Sequence, residues 1–289
     1  MIKTVVIPIA GKGSRFFPIT QTVSKEMLPI INRPMMDYVL EEFYEAGVTK
    51  IIFISSPYKK DILEYYSKDF SFIKKQGLQL EIVEQTTPLG LGHAILQAKK
   101  ILKGKDKGKE EEYFFIGLPD DLFFGESEQQ PSKKEGAAFQ LLQHFKEKQT
   151  NLIGVISIPR EDSKLYGVVV PKEQIDQKGF LIKGMKEKPA PEESPSLFAT
   201  PGRYIFHSKT LFHFLEKIQP GALGEYQLTD AIDLLCRDES VYAIPLKGKR
   251  LDAGNPTGFL NTTLHFYLQH PQYQKEAQEI IRKYYVQNS

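Results

Sequence analysis

Short, largely apolar runs alternate with helical patterns through the first 116 residues, and few folds accommodate that alternation. Residues 5–9, 50–54, 80–84 and 113–116 read as strands, rich in Val, Ile and Phe and mostly without polar alternation. Between them, residues 34–46 carry Met35, Val39, Leu40 and Phe43 at helical spacing and stop at Gly47. Residues 60–66 and 94–101 carry further helical patterns. A strand that is apolar on both sides must be covered on both faces, and helical crossovers between parallel strands supply that cover. The expected class is α/β: a Rossmann-like three-layer α/β/α fold with a mostly parallel central mixed sheet.

The second half changes character. Residues 151–158, 167–170, 181–186 and 203–206 read as strands with few helices between them, an antiparallel or mixed extension of the same sheet. Residues 211–217 and 228–235 read as helices and 241–244 as a strand. Two terminal helices, 258–269 and 276–285, either cover the sheet or form a subunit contact. The polar stretches 103–112, 126–135 and 189–195 read as loops, and none is long enough to separate independent domains. One domain over 1–289 is expected, with halves 1–125 and 126–255 and C-terminal helices in 256–289.

Composition excludes several functions. The 38 basic and 36 acidic residues give a formal net charge of +2, too little to argue for nucleic acid or a membrane surface. No apolar run approaches the roughly 18 residues of a membrane span. Cys236 is the single cysteine, so no intrachain disulfide forms and a reducing cytoplasm is expected. It lies on an apolar helical face and reads as core packing.

Residues 9–15, Ile-Ala-Gly-Lys-Gly-Ser-Arg, follow the first strand directly. Gly11 and Gly13 let the backbone turn tightly and present N–H groups to an anion, and Lys12 and Arg15 add positive charge. A triphosphate suits such a loop, although an ordinary strand-to-helix turn has the same pattern. The dinucleotide fingerprint is excluded, since Phe16 replaces its third glycine and no acid follows the second strand. The Gly-Lys-Ser/Thr loop of ATPases is absent as well.

Ser24-Lys25-Glu26-Met27-Leu28-Pro29 comes next. Further on stand Gln85 with Gly90-Leu91-Gly92-His93-Ala94, Leu118-Pro119-Asp120-Asp121, Tyr166-Gly167-Val168-Val169 and Glu187-Lys188-Pro189. Gly202-Arg203-Tyr204, the stretch Gly224–Ala231 and Asp252-Ala253-Gly254-Asn255 complete the series. In this order, over about residues 2–268, the chain resembles the sugar-phosphate nucleotidylyltransferases, and within them the branch that joins UTP to glucose 1-phosphate. That resemblance implies a nucleotidyltransferase fold with a smaller β-rich sugar-binding portion, UTP and glucose 1-phosphate as substrates, Mg²⁺ as cofactor and a homodimer or homotetramer. It places the nucleotide on Ala10, Gly11, Gly13, Glu26, Gln85, Gly90 and Asp120, and the sugar phosphate on Gly167, Glu187 and Lys188. It makes Asp120 and Asp252 the metal ligands and gives the phosphate-handling, catalytic positions to Arg15, Lys25 and Lys188.

The chemistry is consistent with those assignments. Two substrates rich in phosphate repel each other, and cations, backbone N–H groups and a divalent metal must offset that repulsion. Asp120 closes an apolar strand, where open α/β sheets place their ligands. Capping remains an alternative for Asp120, and a turn for Asp252. Gly90 is expected to leave room for a flat base. His93 and residues 226–231 are expected to be mainly structural, and Asp121 to point away from the site.

The departures from the pattern are local. Ser24 stands where the family often has Pro, Phe16-Phe17 replaces a Met-Leu pair, Thr200-Pro201 precede Gly202, and Thr86-Thr87-Pro88-Leu89 precede Gly90. They bear on base and sugar preference, and a thymidylyltransferase is the neighbouring reading. A non-catalytic relative is expected to lose metal or phosphate ligands, which are all present. A metal-dependent glycosyltransferase is expected to carry Asp-X-Asp, which Asp120-Asp121-Leu122 is not.

Overall fold

A computed structural model of the chain describes residues 2–103, 113–124, 136–221 and 224–287. Its elements are β1 (Thr4–Pro8), β2 (Pro29–Ile30), β3 (Arg33–Pro34), α1 (Met35–Glu45), β4 (Lys50–Ser55), α2 (Lys60–Ser67), α3 (Phe72–Lys75), β5 (Gln79–Glu84), α4 (Leu91–Gln97), α5 (Lys99–Leu102) and β6 (Tyr113–Gly117). The chain continues with β7 (Asp121–Phe124), α6 (Ala137–Lys148), β8 (Asn151–Ser157), β9 (Gly167–Pro171), β10 (Phe180–Glu187), β11 (Phe198–Ala199), β12 (Arg203–His207) and α7 (Ser208–Leu215). It closes with α8 (Leu228–Asp238), β13 (Val241–Pro245), β14 (Lys249–Asp252), α9 (Pro256–Gln269) and α10 (Gln274–Gln287).

Ten strands form one mixed sheet in the order β11-β9-β10-β13-β8-β12-β6-β1-β4-β5. β6, β1, β4 and β5 run parallel, and β12 joins them antiparallel to β6. The near-continuous apolar strands have the cause expected of them. Val5, Ile7, Ile51, Phe53 and Phe115 pack on one face with α1 and α6, whereas Val6, Ile52, Ile54, Phe114 and Ile116 pack on the other with α4, α7 and α8. Side chains alternate across a strand, so burying both faces demands an apolar residue at every position. The edge strand β5 is different, with Ile82 46% exposed between Glu81 and Glu84.

Two helical features depart from the sequence reading. The segment 94–101 belongs to two helices, α4 and α5, that meet at Ala98. The twelve-residue α6 was not anticipated; its buried Ala137, Ala138, Leu141 and Leu142 lie on one helical face against α1 and β12. The loop expected at 126–135, and all but Lys103 of the one expected at 103–112, lie outside the described residues. Cys236 is half-buried against the core as expected, and burial pushes its thiol pKa up to about 12. No helix among the described residues is long and apolar enough to cross a membrane.

The topology fixes where a ligand can bind. From β1 the chain moves outward to β4 and β5, then returns to place β6 on the other flank of β1. The crevice beyond the carboxyl ends of β1 and β6 is therefore a topological switch point, the ligand position of open α/β sheets. The segment starting at Ala10 leaves β1 there, and the turn 118–121 leaves β6 there. A separate two-stranded sheet completes the corner: β14 pairs antiparallel with β7, setting Asp252 opposite Asp121, and Ala253 N–H donates to the Asp120 carbonyl at 2.8 Å.

Helix α9 starts immediately beyond. The Asn255 side chain accepts from Gly258 N–H at 2.9 Å, and Pro256 occupies the first turn, where its missing N–H costs nothing. A Cβ at Gly258 would overlap the Asp252 carbonyl oxygen. Gly258→Ala is expected to lower the melting temperature, although alanine is the better helix former by about 1 kcal/mol. Overpacking of about 1–3 kcal/mol outweighs that preference. A thermal melt above that of the parent would contradict the close approach of α9 to β14.

Candidate active site

Lys25 and Asp120 form the centre of the switch-point crevice. Lys25 Nζ donates to Asp120 Oδ2 at 2.6 Å, across 95 residues of sequence. Burial works against the charge on each partner, and the pairing outweighs it. The Asp120 carboxyl is held below the ordinary carboxylate range, and the Lys25 ammonium is raised, with Glu26 adding to the effect of Asp120. Both groups therefore remain charged at neutral pH. Arg15, on a short 3-10 turn at Ser14–Phe16, contributes further positive potential to the same spot.

Two cavities meet at Asp120. The first, of about 540 Å³, is lined by Ala10, Gly11, Lys25, Glu26, Gln85 and Gly90 together with Asp120. The second, of about 490 Å³, is lined by Arg15, Gly167, Glu187, Lys188 and Asp252, again with Asp120. All but one of the residues to which the resemblance gives nucleotide, sugar-phosphate, metal or catalytic roles thus sit on these walls. The exception is Gly13, whose φ of 65° forms the turn into Ser14–Phe16 and whose carbonyl accepts from Thr20 Oγ1 at 2.7 Å.

Each residue of the first cavity has a local reason for its place. Gly11 has open space where a Cβ would project, so its backbone is accessible to a ligand. Glu26 is fully buried; its Oε2 takes a 2.7 Å hydrogen bond from Lys59, and its Oε1 has no partner among the described residues. Buried acceptors are seldom left unpaired, so Oε1 is suited to a ligand donor. Gln85 Nε2 contacts the Gly90 carbonyl at 3.3 Å and His93 Nδ1 at 2.8 Å, so His93 orients the glutamine, the structural role expected of it. Gly90 is glycine for a reason other than the one anticipated. Its φ is 107°, and a Cβ there would lie 2.8 Å from the Tyr226 carbonyl, so it serves close packing against residues 225–226.

In the second cavity, Glu187 Oε2 accepts from Thr229 Oγ1 at 3.0 Å and Oε1 lies 3.5 Å from Lys188 Nζ. Lys188 has a φ of 45°, a left-handed conformation costly for a residue with a side chain, held by its N–H on the Tyr166 carbonyl at 3.0 Å. Such strain clusters at functional sites. At Gly167 a Cβ would lie 2.8 Å from Thr229 Cγ2, so β9 and α8 approach closely there.

The Asp120 and Asp252 carboxylates converge. A Cβ at Gly254 would lie 2.7 Å from Asp120 Oδ2 and 3.1 Å from Asp252 Oδ1, so both oxygens flank one point. The Lys25 ammonium on Asp120 Oδ2 marks a place that already receives a cation. Two carboxylates with room beside them for phosphate oxygens and water are a donor set that fits a hard divalent ion. No group of three or more His, Cys, Asp or Glu suited to a metal occurs among the described residues.

Several residues escaped the sequence reading. Asp121 does turn away from Lys25, but it lines the second cavity. Burial pushes its carboxyl up to about 7 while Arg250, with Nε 2.6 Å away, opposes the shift. Arg250 also donates to Tyr166 Oη at 2.9 Å and lies over the Tyr166 ring. In Gly202-Arg203-Tyr204, Tyr204 lines the second cavity, whereas Arg203 turns into the core toward Glu42 of α1. Alternation along β12 was the available signal for that split.

Residues 4–268 match the model of the nucleotidyl transferase family, and the chain belongs to that family. Within it, the chain is 33% identical to the UTP–glucose-1-phosphate uridylyltransferase of Streptococcus pneumoniae, over 99% of this chain and 96% of the relative. A UDP-glucose pyrophosphorylase complexed with UDP-glucose superposes with a TM-score of 0.82 at 31% identity, covering 93% of this chain and 100% of that one. A UTP-bound enzyme of the same name from Acinetobacter baumannii gives a TM-score of 0.80 at 30% identity, with 97% and 99% covered.

The Lys25–Asp120 pair is open to a double-mutant cycle. Lys25→Met and Asp120→Asn are each expected to destabilise the chain, and the double variant to lose less than their sum, with a coupling of about 1.5–3 kcal/mol for a charged hydrogen bond. Urea unfolding measures it, and strict additivity would remove the pair from the account.

Proposed function

We propose that the chain is an enzyme transferring the uridylyl group of UTP to α-D-glucose 1-phosphate, releasing pyrophosphate and UDP-glucose. One observation carries the reading: Asp120 lines both cavities, so groups bound in each meet at its carboxylate. The near full-length similarity to uridylyltransferases, with UTP and UDP-glucose bound in the related structures, supports the substrate pair.

UTP occupies the first cavity, its uridine against Ala10, Gly11, Glu26, Gln85 and Gly90, and its phosphates toward Lys25 and Arg15. Glucose 1-phosphate occupies the second, its hydroxyls on Glu187 beside Gly167 and its phosphate on Lys188. A phosphate oxygen of the sugar forms a bond to the α-phosphorus as the bond to the bridging oxygen of pyrophosphate breaks. The attacking oxygen is already anionic, because the second pKa of a phosphate monoester is about 6. No protein nucleophile or base is needed, and positioning and charge compensation carry the rate. Asp120 and Asp252 would hold Mg²⁺, which when bound neutralises phosphate charge.

Residues 1–125 form the nucleotide half, 126–255 the sugar-phosphate half and 256–289 the closing helices of one domain. The working form is a cytoplasmic homodimer or homotetramer joined through α9 and α10, where Leu260, Ile280 and Tyr284 are exposed.

Purified protein with Mg²⁺ and glucose 1-phosphate is expected to release pyrophosphate rapidly with UTP and slowly with dTTP, CTP, ATP or GTP. Equal or faster release with dTTP would move the reading to thymidylyl transfer, and none with any nucleotide would end it. Asp120→Asn is expected to fold and to lose turnover by orders of magnitude. Full activity in that variant would remove the metal assignment.

A further inference from the structure

Arg203 is fully buried, the largest side chain so enclosed among the described residues, and it does not line either cavity. Its Nη2 donates to Glu42 Oε2 at 2.8 Å and its Nε to Glu42 Oε1 at 3.1 Å. Glu42 is held in turn by the start of α6, where Ala138 N–H donates to Oε1 at 2.9 Å. The rings of Phe43 and Phe123 lie within 5.3 and 5.4 Å of the guanidinium carbon. An Arg–Glu pair is an expensive way to fill a core, since apolar residues of similar volume commonly serve as well or better.

What apolar residues cannot supply is the remaining pair of donors. Arg203 Nη1 donates to the Leu118 carbonyl at 2.9 Å and Nη2 to the Asp121 carbonyl at 2.6 Å. These carbonyls bracket Asp120. The guanidinium is planar, so its two N–H groups fix the separation and direction of both carbonyls at once. Asp120's own carbonyl is tied to Ala253 N–H, next to Asp252. The 118–121 turn is thus gripped on its core side by one rigid fork and on its outer side by β14.

We propose that Arg203, oriented by Glu42, is a positioning residue that sets the Asp120 carboxylate toward a divalent cation and the transferred phosphate. The proposal rests on the reading of Asp120 as a metal ligand. Removing the groups that orient a ligand typically costs 10–100-fold in metal affinity or activity.

The test uses the full chain with UTP, Mn²⁺ binding followed by electron paramagnetic resonance, kcat, KM for glucose 1-phosphate, and thermal melting. Glu42→Leu/Arg203→Met removes both charges together and is expected to fold. It is expected to lose 10–100-fold in Mn²⁺ affinity and in kcat, with KM for glucose 1-phosphate changed less than about twofold. Arg203→Lys keeps the charge pair but not the fork, is expected to lose in the same two quantities, and stands in if the double variant does not fold. Parental Mn²⁺ affinity and kcat in whichever variant folds would overturn the proposal and leave Arg203 as core filling. Asp120→Asn in the same titration separates the two claims. Unchanged Mn²⁺ binding there overturns the metal reading and the proposal with it. Loss there, with none in the Arg203 variants, overturns positioning alone.

Discussion

The 2.6 Å contact between the Lys25 ammonium and the Asp120 carboxylate is the point to which the rest of the molecule is arranged. Neither charge is tolerable alone in that crevice, because burial shifts each toward its neutral form. Together they keep one cation and one anion fixed where the parallel strands reverse their order. Every larger feature serves that juxtaposition. β1 delivers the segment that leads to Lys25, β6 the turn that carries Asp120, and β14 clasps that turn and adds Asp252. A site that must hold two phosphate-rich molecules needs opposite charges set at fixed positions before either arrives, and a rigid switch-point crevice supplies them.

The scaffold around this contact is built from more ion pairs than a core requires. Lys59 and Glu26 meet behind the first cavity, Arg203 and Glu42 behind the 118–121 turn, and Arg250 and Asp121 beneath the second cavity. Each joins segments far apart in sequence, and each ends on or next to a residue that faces a cavity. A core filled with apolar residues of similar volume is often as stable. It would leave the carbonyls and carboxylates of these turns without donors.

Much of this was legible in the chain and some was not, for physical reasons. β1, β4 and β6 announce themselves because both of their faces are buried, so Val5–Ile7, Ile51–Ile54 and Phe114–Ile116 are all apolar. Lys25, Asp120, Lys188 and Asp252 were readable because the short stretches that carry them stand in the order seen in the sugar-phosphate nucleotidylyltransferases that the chain resembles. Glu42 was not, since on α1 it has the spacing of an ordinary polar helix residue and its partner Arg203 is 161 positions away. Lys188 gave no sign of its left-handed backbone, because only glycine advertises that conformation in a sequence. β7 and β14 are four residues each and pair only with each other, too short to produce a period. Gly90 was recognised, but the close neighbour it accommodates is its own chain at Tyr226, which no local pattern encodes.

In the proposed reaction the two substrates meet at Asp120 and react directly, with no covalent stop on the protein. The stereochemistry at phosphorus tests that most directly. One diastereomer of UTPαS, turned over with glucose 1-phosphate, should give a product inverted at the α-phosphorus, the result of a single in-line displacement. Retention would mean two successive displacements through an enzyme-bound uridylyl group, and would contradict a site that works by position and charge alone.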